Sequence, residues 1–216
     1  MRKPFLYLLA LTLILCHCST AQETIRTIQL PKPDTTGGKP LMQALKERKT
    51  SRSFSDRKLS EQVMSNMLWA AFGVNRPDGH RTAPSARNWQ EIDIYLATPD
   101  GLFLYDARAH LLRQLLTDDI RSKTGTQEFV RTAPVNLVYV ADLNKVDVRA
   151  VDDRNLYTGA DCGFVAQNVY LYCASEGLSV VVRAGIGRAE LAKAMGLRPE
   201  QKIILAQTVG YPKQKQ

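Results

Sequence analysis

Residues 161–187, DCGFVAQNVYLYCASEGLSVVVRAGIG, hold a helix, a stop, a strand and a glycine-rich turn in immediate succession. Asp161 to Glu176 is mostly apolar and predicts a long helix, with Gly177 as its stop. Leu178 to Val182 reads as a strand. Arg183-Ala184-Gly185-Ile186-Gly187 follows it, and glycines after a strand let backbone N–H groups come close to a ligand. No G-x-G-x-x-G turn opens a helix within a βαβ unit, so a Rossmann dinucleotide site is excluded.

Working outward, Thr132-Ala133-Pro134 leads into Val135–Ala141, an apolar run expected as a buried strand. Ile92, Ile94 and Leu96 alternate as a strand, Pro99-Asp100-Gly101 turns the chain, and Leu102–Tyr105 returns as a hairpin. Leu111–Leu116 is amphipathic and expected as a helix. Nearer the N-terminus, Leu41–Arg48 predicts a short helix. Ser60 caps another, along which Val63, Met64, Met67, Leu68, Ala71 and Phe72 recur at core-facing spacing before Gly73. Asn75–Arg87 is a polar loop. After the central stretch come a helix over Arg188–Met195, closed by Gly196, and a strand over Ile203–Val209, closed by Gly210-Tyr211-Pro212. This order indicates one α+β domain over residues 41–216 with a central mixed sheet.

The chain has 216 residues, 44% apolar and 23% charged, which excludes disordered, collagen-like and disulfide-dense classes. Met1-Arg2-Lys3, the uncharged stretch Phe5–Cys16, and the small residues Ser19 and Ala21 predict a secretory signal peptide over residues 1–21. The apolar stretch is shorter than the roughly 20 residues of a membrane-spanning helix. Cys16 and Cys18 leave lipid anchoring as an alternative, although Leu15 and His17 stand where a lipobox places a small residue. Cleavage leaves 195 residues, exported and expected in the periplasm, with no membrane attachment. Loss of Arg2 and Lys3 lowers the net charge from +8 to +6. Residues 22–40, with Pro31, Pro33, Gly37, Gly38 and Pro40, read as a linker or irregular arm. Cys162 and Cys173, eleven apart on one helix, stand about 16 Å from each other, too far for a disulfide. His80 and His110 stand alone, so no metal site is expected. Basic residues are dispersed, with no basic helix face interleaved with aromatics, which argues against a nucleic-acid partner.

Three segments can carry chemistry. Arg48-Lys49-Thr50-Ser51-Arg52-Ser53-Phe54 combines three cations with three hydroxyls. In an irregular segment Arg48, Thr50 and Arg52 can point at one phosphate, though such a run also reads as a solvated charged face. Thr82–Gln90 can form a backbone-rich loop against a planar polar ring, or an ordinary capped loop. The third is Asp161–Asn168 opening the long helix, followed by Glu176-Gly177-Leu178 and, after the strand, the turn at 183–187. There is no phosphate-binding G-x-x-x-x-G-K-[ST] and no G-x-S-x-G, and loop serines lack a neighbouring histidine, so a hydrolase triad is not expected.

Together and in this order the segments resemble the nitroreductase family of flavoproteins over nearly all of 41–212. R-[RK]-[ST]-x-R-x-F appears at Arg48–Phe54, and P-S-x-x-N-x-Q at Pro84–Gln90. A-Q-N-x-x-L followed by E-G-L spans Ala166–Leu178, and G-Y-P closes the chain at Gly210–Pro212. Residues 81–111 are also similar to the SagB/ThcOx-type branch. Ala86-Arg87-Asn88 replaces that branch's glycine-rich segment.

The resemblance implies a nitroreductase-like α+β fold, with a central, mainly antiparallel sheet flanked by helices, working as a homodimer with FMN at the interface. It implies that Arg48, Thr50 and Arg52 hold the phosphate and ribityl end. Pro84, Ser85 and Asn88 would line the flavin from the other subunit. Ala184 and Gly185 would turn backbone N–H groups toward the ring's N5 edge. The family often places a cation beyond G-Y-P, and Lys213 or Lys215 would stand in for it. The flavin carries the chemistry and no catalytic side chain is expected. NAD(P)H is a possible electron donor, and a small molecule the substrate, met by loops 75–83 and 117–131. The implied activity is an exported FMN-dependent oxidoreductase. The alternatives are a flavin-dependent oxidase or dehydrogenase of a small molecule or peptide, and a flavin-binding protein without turnover.

Overall fold

The computed structural model describes residues 26–147 and 150–213. The expected signal peptide, with Cys16 and Cys18, lies outside the described residues, as does Lys215. Seven strands form one sheet: β1 (Thr27–Gln29), β2 (Ile92–Thr98), β3 (Gly101–Asp106), β4 (Leu111–Leu116), β5 (Val135–Asp142), β6 (Ser179–Arg183) and β7 (Gln201–Gly210). Their order is β1-β4-β3-β2-β5-β7-β6. Every neighbouring pair is antiparallel, which corrects the mixed sheet read from the element pattern and agrees with the sheet implied by the resemblance. The helices are α1 (Leu41–Glu47), α2 (Glu61–Phe72), α3 (Val151–Glu176) and α4 (Arg188–Met195).

Helices α2 and α3 pack on one face of the sheet. Ser60 caps α2 by accepting from the Val63 N–H at 3.3 Å. Met67, Leu68, Ala71 and Phe72 then bury against Ile92, Ile94 and Leu96 of β2 and against Cys162, Val165 and Val169 of α3. The helical period places those α3 residues on one stripe. Gly177 ends α3 at φ 68°, a left-handed position that glycine occupies without steric cost. On the other face Leu191 and Met195 of α4 cover Val138, Val140, Ile203 and Ala206. Cys162 and Cys173 are both free and buried, as their spacing requires. Burial pushes the Cys162 thiol up to about 12, so it stays protonated.

Three expectations change. Leu111–Leu116 is a strand, not a helix. Its leucines suit either period, and pairing with β1 and β3 on its two sides decides between them. Helix α3 begins ten residues before Asp161, at Val151. Its first turns bury little, so no apolar stripe announces them, but Asp152 and Asp153 favour a helix N-terminus. The arm at 22–40 contains strand β1, and Leu30 enters the core. His110 holds this arm down. Ser65 Oγ donates to the Pro31 carbonyl at 2.6 Å and meets His110 Nε2 at 2.7 Å, while Tyr105 O–H meets Nδ1 at 2.9 Å. With the Ser65 hydroxyl committed to Pro31, Nε2–H is the donor toward Ser65 and the Pro31 carbonyl, and burial lowers the pKa of His110, which favours the neutral imidazole with Nδ1 accepting from Tyr105.

Phe72 is 1% exposed where α2, α3 and the sheet meet. Phe72→Ala is expected to cost about 3–5 kcal/mol of unfolding free energy, read from urea unfolding. A loss below about 1 kcal/mol would contradict this packing.

Candidate functional site

The free edge of β6 gathers most of the expected site residues. Strand β6 ends the sheet, and its outward backbone groups are met by other parts of the chain. Ser51 N–H donates to the Val180 carbonyl at 2.9 Å, and Val182 N–H donates to the Tyr170 hydroxyl at 2.9 Å. Thr50 Oγ1 lies 3.1 Å from the same hydroxyl, and the Arg48 guanidinium lies over the Tyr170 ring, 5.4 Å from its centre. Ser55 N–H donates to the Tyr211 carbonyl at 2.9 Å, which draws the end of β7 and the exposed Lys213 to the same side. Arg48 closes α1 by donating its N–H to the Ala44 carbonyl. Among the described residues no carboxylate forms an ion pair with Arg48, Lys49 or Arg52.

Beyond β6, Ala184 and Gly185 are exposed, and their N–H groups meet no acceptor among the described residues. The Gly185 carbonyl accepts from Thr126 N–H at 3.3 Å. A Cβ on Gly185 would lie 3.3 Å from Gln127 Nε2 and 3.4 Å from Thr126 Oγ1, so those side chains flank the turn. The 117–131 segment therefore meets the site. The 75–83 segment instead folds back on the end of α2, where Thr82 donates to the Gly73 and Trp69 carbonyls.

The 84–90 loop is hydrogen-bonded within itself and stands apart. Ser85 Oγ accepts from Gln90 N–H at 3.0 Å, and Asn88 Oδ1 accepts from Gln90 Nε2 at 2.9 Å. Arg87, Asn88 and Gln90 all have positive φ, near 50°, a conformation costly for side-chain-bearing residues. Asn88 is thus held on a strained backbone, whereas Ser85 is extended. None of the loop's hydrogen bonds among the described residues joins it to 48–52 or 184–185. Asp161 of α3 anchors it, accepting from Ala86 N–H at 2.8 Å.

Tyr170 and Glu91 lie outside the three segments singled out in the sequence, and Asp161 and Arg183 lie in the third of them with no role assigned to them. Tyr170 carries a hydroxyl on an apolar helix face, and Arg183 puts a charge at an inward position of a strand. Those are the signals each leaves in the sequence. Glu91 follows the 84–90 loop and is fully buried, with no hydrogen-bond partner for either carboxylate oxygen. Burial first, and the neighbouring Asp161 carboxylate next, push it up to about 7. A proton on Glu91 supplies the one donor that this acid pair lacks.

The folded chain therefore binds a proton at Glu91 that the unfolded chain releases near pH 4.5. Stability from this group is present at low pH and is lost as pH rises from about 4.5 through about 7. Its size is of order 3 kcal/mol. Glu91→Gln keeps the shape and removes the titration, so its melting temperature should fall less steeply between pH 5 and 8 than the parent's. Parallel melting curves for the two proteins would refute the assignment.

With the geometry in place, comparison with known proteins is specific. Residues 45–211 match the model of the nitroreductase family. The Methanocaldococcus jannaschii protein named "Putative nitroreductase MJ1384" is 30% identical over 166 residues, 72% of this chain and 83% of that protein. A crystal structure of the same description from Ralstonia eutropha JMP134 superposes with a TM-score of 0.84 at 43% identity, covering 88% of this chain and 91% of that one. Another, from Desulfovibrio desulfuricans in complex with FMN, shares the fold with a TM-score of 0.61 at 22% identity, over 82% and 89% of the two chains. The chain belongs to the nitroreductase family.

Proposed function

We propose that this chain is an exported FMN-dependent oxidoreductase, passing hydride through a flavin held at the interface of a homodimer. The observation that carries the reading is one sheet edge with two complementary ends. Among the described residues, Arg48 and Arg52 stand without an ion-paired carboxylate at one end, and the N–H groups of Ala184 and Gly185, which meet no acceptor, stand at the other. A phosphate suits the first and a polar ring edge the second. The glycine at 185 fits the same need, since a side chain there would press on Gln127 and Thr126. The Desulfovibrio relative's bound FMN supports the choice of cofactor.

FMN, when bound, supplies hydride chemistry at its N5 edge. The chain's own residues bind and orient. Arg48 and Arg52 neutralise the phosphate, with Lys213 adding charge. Thr50 donates to a phosphate or ribityl oxygen, held in place by the Tyr170 hydroxyl. Ala184 and Gly185 direct N–H dipoles at the ring. Pro84, Ser85 and Asn88 of the partner subunit close the other side. The partner is a second copy, because α1 leaves Leu41 and Met42 exposed and α3 leaves Leu156 and Phe164 exposed, an apolar surface that dimerisation would cover. The segment 1–21 supports export, with Gln22 the first residue of the mature chain and 22–40 an arm before the domain. NAD(P)H is one candidate donor. A second reading, oxidation of a small molecule or peptide, is favoured by the SagB/ThcOx-like residues 81–111.

The mature protein is expected to purify yellow and to release FMN on denaturation. Colourless protein that takes up no added FMN would refute the proposal. Arg48→Ala should weaken FMN retention about tenfold or more, because a charge-assisted hydrogen bond contributes roughly 1.5–3 kcal/mol. Equilibrium dialysis measures it, and unchanged retention would remove Arg48 from the phosphate site. Anaerobic reduction by NADH or NADPH separates the first reading from the second.

A further inference from the structure

Arg183, the last residue of β6, is 6% exposed. Its guanidinium makes three hydrogen bonds: Nε to Thr208 Oγ1 at 3.1 Å, Nη1 to the Thr124 carbonyl at 2.7 Å, and Nη2 to Asn136 Oδ1 at 3.1 Å. All three acceptors are neutral. Among the described residues no carboxylate pairs with it. Burial alone pushes it down, to about 10, so it remains a cation at neutral pH. Buried charges ordinarily carry a counter-ion, because desolvation is costly without one.

The packing around Arg183 is closed on the protein side. A Cβ on Gly125 would lie 2.0 Å from Nη1, so the 124–131 segment rests directly on the guanidinium. Thr208 Oγ1 donates to Asn136 Oδ1 at 2.6 Å, and Asn136 Nδ2 donates to the Val130 carbonyl at 2.8 Å. This network fixes the cation immediately before Ala184 and Gly185, the turn assigned above to the ring's N5 edge. Gln127 lies beside the same turn, with its Oε1 buried and unpartnered.

We infer that Arg183 is an uncompensated buried cation whose charge is answered by the reduced flavin, so that it raises the flavin's reduction potential without touching the ring. The inference rests on the proposed function. Uptake of one hydride, two electrons and one proton, makes the ring one unit more negative and the hydride donor one unit more positive. With the ring seated at Ala184 and Gly185, that charge, carried mainly at the ring's N1 end, would develop in the field of a cation with no other counter-charge among the described residues and little water to screen it. The neutral acceptors are essential to this arrangement: a carboxylate in their place would cancel the field. Arg183 also holds the 124–131 segment, and the test separates the two roles.

The experiment is an anaerobic spectroelectrochemical titration of the FMN-loaded protein and three variants. Asn136→Asp supplies the missing counter-charge while keeping the guanidinium, Arg183→Gln removes the charge, and Arg183→Lys keeps the charge without the fork. Asn136→Asp and Arg183→Gln are expected to lower the preference for reduced over oxidised FMN at least tenfold, a midpoint about 30 mV more negative. Arg183→Lys should stay near the parent. Should Arg183→Gln fail to fold, Asn136→Asp decides alone. An unshifted midpoint in Asn136→Asp, or an Arg183→Lys shift as large as that of Arg183→Gln, would overturn the inference. The second result would leave Arg183 only the holding of 124–131. Protein that takes up no FMN overturns the proposed function as well, whereas bound FMN with an unmoved potential overturns this inference alone.

Discussion

The free edge of β6 is the constraint from which the rest of the arrangement follows. A strand that ends a sheet leaves a row of backbone donors and acceptors that must be met. Here they are met by the 50–55 segment and by one side-chain hydroxyl, Tyr170. Satisfying that edge brings Arg48, Thr50 and Arg52 alongside the strand that leads into Ala184 and Gly185. The same need ties the end of β7 to Ser55. A requirement of backbone chemistry thereby draws together residues more than 130 positions apart in the chain.

The two faces of the sheet divide the remaining work. The face under α2 and α3 is almost wholly apolar and carries the larger core. The opposite face carries a smaller core beneath α4 and, at its β6 end, the polar group of Arg183, Asn136 and Thr208. Buried polar groups of this kind favour one arrangement when every member is satisfied. Glu91 and Asp161 form a second polar group, where the strained 84–90 loop meets α3. The loop's geometry depends on that carboxylate, because Asp161 accepts the Ala86 N–H. Both polar groups lie beside segments assigned to the ligand, and within the core a third buried set is satisfied, with the Tyr139 hydroxyl donating to Gln207 and Gln207 donating to the Ala166 carbonyl.

Legibility in the sequence follows the range of the forces involved. Helices α2 and α4, strands β2, β3, β5, β6 and β7, and their glycine stops were readable, because periodicity and capping act within a few residues. Leu111–Leu116 was misread because six residues cannot separate the two periods, and only pairing with distant strands could. The first ten residues of α3 were missed because they bury little. Among the site residues, the run at 48–54 and the turn at 183–187 stood out by composition. Tyr170 and Glu91 did not, and Asp161 stood out only as the opening of a helix, since a tyrosine on a helix or an acid beside a loop is ordinary until its neighbours are known.

The sequence by itself determined the α+β class, the order of the elements apart from β1 and β4, the separation of Cys162 from Cys173, and a family resemblance carried by four short motifs. Local backbone preferences, helix geometry and residue chemistry are enough for these. Only the tertiary structure decided that every strand pair is antiparallel, that Tyr170 closes the β6 edge, and that Arg183 is buried with no carboxylate partner among the described residues. Those outcomes depend on which side chains and backbone groups long-range packing brings within hydrogen-bonding distance, and on which charges it leaves unanswered.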